Sequence, residues 1–160
     1  MDKSSGAGNE KLETILVVED TDVLLELIVT VLNRANFVVL QATSGLDALS
    51  VAGDHPGKID LLLSDVRLPG MSGHEVAEAL QQSRPEMHVM FMSGYAGGDM
   101  LVLNYGWAFI EKPFVSKKLV EMINVVLHTP DRSQGNRQYD EIKDTGAPPS
   151  KDTETKGESE

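Results

Sequence analysis

The stretch IDLLLSDVRLPGMSG, residues 59–73, decides how the rest of the chain is read. Ile59 and Leu61 to Leu63 run directly into Asp65, and Pro69 and Gly70 follow within a few residues. A short apolar run closed by turn residues is the pattern of a fully buried strand. This strand delivers a carboxylate at its own tip. Aspartate often ends strands because it bonds to nearby backbone, so Asp65 is either a turn residue or a functional group, and its surroundings must decide.

Outward from that strand the chain alternates. TILVV is an apolar, β-branched strand, and TDVLLELIVTVLNRA carries apolar residues at 24, 27, 28, 31 and 32, a helical stripe with Thr21 or Asp22 as N-cap. FVVLQA is a strand, and SGLDALSVAGD a helix opened by Ser44. After IDLLLSD come the helix GHEVAEALQQS, the strand HVMFMS, a weak helix around DMLVLNY, the short strand AFIEK and the helix SKKLVEMINVVLH. The first helix holds a second apolar set, Val23, Leu25 and Val29, which either widens the core stripe or forms a docking face. Strands separated by helices, with no hairpin signal, imply a parallel sheet covered on both faces.

The chain of 160 residues is 41% hydrophobic, enough for one domain with a core. Its lack of Cys excludes disulfides, thiol catalysis and thiolate metal sites. No apolar run approaches the roughly 20 residues of a membrane helix, and MDKSSGAGNEKLE lacks the apolar core of a signal peptide, so a cytoplasmic protein is expected. The net charge is −11, and no basic cluster exceeds Lys117-Lys118, which argues against direct nucleic acid binding. Residues 1–11 and 129–160 are rich in Gly, Pro, Ser and charge and are expected to be disordered, the second as an acidic tail or linker. The folded domain is expected over residues 12–128.

In an open α/β sheet the ligand lies outside the carboxyl ends of the strands. Those ends carry Glu19-Asp20, Asp65, Ser93 and Lys112-Pro113. Singly, the acids could open a helix, Ser93 could be a turn residue and Lys112 a solvated lysine. Together, three acids crowded at one edge repel one another, and a cation would relieve that cost. Hard oxygen ligands suit Mg²⁺, which keeps several waters and takes one or two carboxylates plus a phosphate. A carboxylate can serve as a phosphoryl acceptor, with Lys112 and Ser93 placed to neutralise and bond the incoming anion.

The motifs VVED, LLLSDVRLPGMSG, FMSGYA and FIEKPF, in this order and each at a strand end, resemble the receiver domain of two-component response regulators over residues 12–128. The resemblance implies a flavodoxin-like (βα)₅ fold of strand order 2-1-3-4-5. It implies Asp65 as phosphoacceptor, Glu19 and Asp20 as the acidic pair for Mg²⁺, and the backbone carbonyl of Arg67 as a further ligand. Ser93 matches the switch hydroxyl, Phe109 the aromatic switch, Lys112 the phosphate-binding lysine, and Pro113 a residue usually preceded by a cis bond. The implied partners are a sensor histidine kinase or phosphotransfer protein, and an output partner on the face of the fourth helix, fifth strand and fifth helix. Arg67 and Tyr95 depart from the commonest pattern and are candidate modulators of access to the site. SGYA resembles receivers of hybrid sensor kinases, so a receiver that relays phosphate onward is the alternative within this chemistry.

Other chemistries lack their residues. An aspartate-based phosphatase or phosphomutase needs a second acid two positions after its nucleophile, where this chain has Arg67. There is no Gly-Lys-Ser/Thr phosphate loop and no G-x-S-x-G elbow. His55, His74, His88 and His128 are scattered without metal-ligand spacing. A phosphate-independent binding module is the alternative of another class; self-promoted phosphorylation and dephosphorylation apart, no enzyme is expected.

Overall fold

The computed structural model describes residues 11–94 and 107–128. Its elements are β1 (Thr14–Val18), α1 (Asp22–Arg34), β2 (Val38–Ala42), α2 (Gly45–Asp54), β3 (Leu61–Asp65), α3 (Gly73–Ser83), β4 (His88–Ser93), β5 (Ala108–Glu111) and α4 (Ser116–His128). The helix expected around Asp99 to Tyr105 lies outside the described residues, so the fifth helix of the expectation is α4 here. The strands form one parallel sheet of order β2-β1-β3-β4-β5.

Strand alternation divides the core in two. Ile15, Val17, Leu61, Leu63, Met90 and Met92 face one way and pack with Leu25, Ile28 and Leu32 of α1 and Leu119, Ile123 and Val126 of α4. Leu16, Val18, Leu62, Val89 and Phe91 face the other way, against Ala48 and Ala52 of α2 and Val76, Ala77 and Leu80 of α3. Both faces of β1 and of the apolar part of β3 are buried, which is why their sequences are unbroken apolar runs rather than alternating ones.

The helix ends follow local chemistry. The Ser44 hydroxyl accepts from the Asp47 N–H at 3.1 Å and the Asp47 carboxylate accepts from the Thr43 N–H at 3.0 Å, a reciprocal cap at the start of α2. Ser72 caps α3 in the same way through the Glu75 N–H, at 3.1 Å. Beyond the end of α2, the Arg84 guanidinium donates to the carbonyls of Ala52, His55 and Gly57 at 2.8–3.0 Å, satisfying acceptors that the helix leaves open. Thr21 is the N-cap of α1, but its side chain makes no capping bond.

The buried line of α1 differs from the expected stripe. Leu25, Ile28 and Leu32 are buried, Leu24 and Val31 are half-buried, and Leu27 is 53% exposed. So many apolar residues wrap this helix that their spacing does not set its rotational phase. Packing against the sheet sets it. Leu25 belongs to the core, while Val23 stands 79% exposed, and the helix presents an apolar strip to solvent.

Candidate functional site

Sheet order brings the informative strand ends together. β1 and β3 are neighbours, and the chain leaves β1 for β2 on one side and later returns to β3 on the other, so their carboxyl ends flank the crevice where the winding reverses. Glu19 and Asp20 follow β1, Asp65 ends β3, Ser93 ends β4, and Lys112 follows β5. Carboxylate oxygens of Glu19, Asp20 and Asp65 lie within 4.8 Å of one another. Asp20 is exposed, and Asp65 is intermediate.

Glu19 is the least solvated of the three, 1% exposed. Its Oε1 accepts from the Thr21 N–H at 3.2 Å and its Oε2 from the Lys112 ammonium at 2.9 Å. Lys112 Nζ also donates to Asp65 Oδ2 at 2.8 Å, so one cation joins two acids from separate strand ends. Asp65 Oδ1 accepts from the Arg67 N–H at 3.2 Å. The Lys112 N–H donates to the Ser93 carbonyl at 2.7 Å, tying the exit of β5 to the end of β4. The Lys112–Pro113 peptide bond is cis.

Electrostatics follows from burial and pairing. Loss of solvent pushes the Glu19 carboxyl above its ordinary 4.5, against the opposing pull of Lys112 and the Thr21 N–H. Burial alone would lower Lys112, but its hydrogen bonds to Asp65 and Glu19 outweigh that and raise it above 10.5. The lysine is therefore a fixed cation at neutral pH.

Ser93 is buried at the β4 tip, and Phe109 is half-buried on β5, packed against the core cluster that contains Trp107. The indole of Trp107 donates to Gln81 Oε1 at 3.2 Å and meets His74 edge-on, with ring centroids 5.0 Å apart. Tyr95 lies outside the described residues. Two features escape sequence reasoning. One is a groove of about 400 Å³ between Leu24, Leu27 and Val31 of α1 and Pro113, Phe114 and Leu119, with Lys112 in its lining. The other is the contact of Gly73 with the Asp65 main chain. The first was hinted at by the excess of apolar residues on α1, and the second only by a glycine at a helix start.

The acids suit a hard divalent cation in kind and spacing: oxygen donors only, close together, with Asp20 open to water. Known proteins place the chain in a class. Residues 15–124 match the family model of the response regulator receiver domain. The chain belongs to that family, whose members are the receiver modules of two-component systems.

Among curated relatives it is 31% identical over 121 residues to the sensor kinase CckA of Brucella abortus, covering 74% of this chain and 13% of that one. It is 28% identical over 130 residues to the cell cycle response regulator CtrA of the same organism, covering 78% of this chain and 53% of that one. The chain thus spans about half or less of the length of these relatives. The crystal structure of the receiver domain from the hybrid histidine kinase CckA matches with a TM-score of 0.62 at 34% identity, over 72% of this chain and 99% of that one. No described helix is long and apolar enough to cross a membrane.

Proposed function

We propose that residues 12–128 form a phosphorylation-controlled switch in which Asp65 accepts a phosphoryl group from a sensor histidine kinase or phosphotransfer protein. The observation that carries this reading is the Lys112 ammonium held at 2.8 Å from Asp65 and 2.9 Å from Glu19, at the point where three carboxylates meet. An Asp65 carboxylate oxygen forms the new bond to phosphorus as the bond from phosphorus to the donor's imidazole nitrogen breaks. Lys112 stays charged throughout and, with the Ser93 hydroxyl, takes the phosphoryl oxygens. Glu19, Asp20, Asp65 and the Arg67 carbonyl would hold Mg²⁺, which when bound supplies charge neutralisation and orientation for the incoming phosphate.

In the switch itself, Ser93 moves toward the phosphate and Phe109 turns inward. The face that includes β5 and α4 then changes its affinity for an output partner. The module acts through binding, so we do not class it as an enzyme. A net charge of −11 favours protein partners over nucleic acid. The same reading places the chain in the cytoplasm and makes Arg67 and Tyr95 modulators of access to the site. The resemblance to the CckA receiver, at 34% identity, favours a second form of this reading, in which the phosphoryl group is relayed onward.

The donor's surface is the exposed strip of α1. Val23 is 79% and Leu27 53% exposed, beside the groove that reaches Lys112. Burying a side chain such as Leu27 stabilises an interface by about 1.5–3 kcal/mol. Leu27→Asp should therefore slow transfer from a phosphorylated histidine phosphotransfer domain about tenfold or more. Phosphorylation by acetyl phosphate should proceed at the wild-type rate. Equal slowing with both donors would contradict this docking face, and no transfer from either donor to the wild type would overturn the switch reading.

Protons compete with the metal for Glu19. Because burial raises this carboxyl above 4.5, Mg²⁺ affinity measured by calorimetry should begin to fall, on acidification, at a higher pH than an ordinary glutamate would give. The sign for the metal-free fold is the reverse. A raised carboxyl binds its proton more tightly when folded, so its contribution to stability is present below 4.5 and lost as pH rises through the folded value. Glu19→Gln should remove the Glu19 share of both dependences.

A further inference from the structure

The first residue of α3 lies directly against the main chain of Asp65. Gly73 is buried, and its N–H donates to the Val66 carbonyl at 3.0 Å. A Cβ at this position would fall 2.0 Å from the Asp65 carbonyl oxygen and 2.9 Å from Ser64 Oγ, closer than real Cβ atoms approach. Backbone conformation is not the reason for this glycine. Among the described residues, positive φ occurs at Asn36 and at Gly70, where a Cβ would meet nothing within 4 Å. Gly73 is needed for proximity instead.

The peptide that Gly73 touches is held from several sides. The Ser64 hydroxyl, fully buried, donates to the Asp65 carbonyl at 2.9 Å. The Val66 N–H donates to the Met92 carbonyl at 3.1 Å, fixing the same peptide to β4. Immediately before this peptide is the Asp65 carboxylate. Immediately after Val66 is Arg67, whose N–H donates to Asp65 Oδ1 at 3.2 Å.

We infer that Gly73 and Ser64 are positioning residues for phosphoryl transfer. They fix the Asp65–Val66 peptide so that the Asp65 carboxylate and the Arg67 carbonyl are presented together to the metal and the phosphoryl donor. The inference rests on the receiver reading and names what sets the geometry of its acceptor. α3 is more than a cover for the sheet: its first turn is the stop against which the acceptor rests. A methyl group at residue 73 must drive the Asp65 carbonyl away, from 2.0 Å to beyond 3.0 Å. Misplacement of a reacting group by about 1 Å costs about 10²-fold in rate. Removing the Ser64 hydroxyl introduces no clash and withdraws one donor, a milder disturbance of the same peptide, worth about three- to tenfold.

The test compares wild type, Gly73→Ala, Ser64→Ala and Gly53→Ala. Gly53 is the control, since a Cβ there meets nothing within 4 Å. Three quantities are measured: the thermal midpoint, the calorimetric Kd for Mg²⁺, and the rate of phosphorylation by acetyl phosphate at saturating Mg²⁺, well below every midpoint. Gly73→Ala should lose about 10²-fold in rate and also weaken Mg²⁺ binding. Ser64→Ala should shift both in the same direction by less, and Gly53→Ala should match wild type in rate and Mg²⁺ affinity. If Gly73→Ala melts earlier yet keeps wild-type Mg²⁺ affinity and rate, the glycine is merely structural and the inference fails. If Gly73→Ala does not fold, Ser64→Ala decides, and wild-type values for it overturn the inference. A wild type that neither binds Mg²⁺ nor takes a phosphoryl group overturns the receiver reading itself, and this inference with it.

Discussion

Lys112→Met should lower the stability of the metal-free protein by about 1–3 kcal/mol and slow phosphorylation by about 10²–10³-fold. The lysine bonds to both Glu19 and Asp65, and without it two carboxylates face each other with no cation between them. Glu19 is only 1% exposed, so water cannot replace the lost partner there. Fully buried pairs lose about 3–5 kcal/mol when one member is removed. Lys112 is 21% exposed and Asp65 14%, so solvent screening reduces the loss here. Mg²⁺ should restore more stability to this variant than to wild type, because a divalent cation binds better where no ammonium competes with it. Denaturant unfolding with and without Mg²⁺ checks both parts. Equal stability of variant and wild type without metal would show that the bridge does not hold the site together.

Asp65→Asn has a larger effect on function and a small one on the fold. The amide cannot form an acyl phosphate, so no phosphoryl group should be added from any donor. Its shape is nearly that of the carboxylate, and its oxygen can still accept from Lys112 or Arg67, which approach Asp65 at 2.8 and 3.2 Å. One negative charge opposite Glu19 disappears, which relieves repulsion. Stability should stay within about 1 kcal/mol of wild type, while Mg²⁺ binding weakens with the loss of a charged ligand. Circular dichroism and calorimetry check the fold and the metal; persistence of a phosphoryl adduct in this variant would place the acceptor elsewhere.

Much of the architecture was legible because its signals are local. The buried strands are unbroken apolar runs, and α3 and α4 span the residues their spacing marks out, α3 with Ser72 as its cap. From strand and helix order followed the parallel sheet, and from strand ends a cluster of acids with a lysine. The phase of α1 was not legible, because apolar residues surround most of that helix and only packing against the sheet selects Leu25, Ile28 and Leu32. Lys112 was expected at the acids, but its bond to Glu19 was not legible, because Glu19 lies 93 positions away and meets it only through the order of the strands. Gly73 carries no signal beyond its identity, since what requires it is an oxygen atom on another element. Trp107 is similar: its contacts with His74 and Gln81 of α3 and Phe91 of β4 join residues far apart in the sequence.

The central claim is that this sheet edge accepts a phosphoryl group at Asp65. Intact-protein mass after incubation with acetyl phosphate, with and without Mg²⁺, and with Asp65→Asn alongside, tests it most directly. The account predicts the addition of one phosphoryl group to wild type that requires Mg²⁺ and is absent from Asp65→Asn. Beryllofluoride titration followed through Trp107, the chain's one tryptophan, covers an adduct lost faster than it can be weighed. No adduct together with no fluorescence change would contradict the account and leave a phosphate-independent binding module in its place.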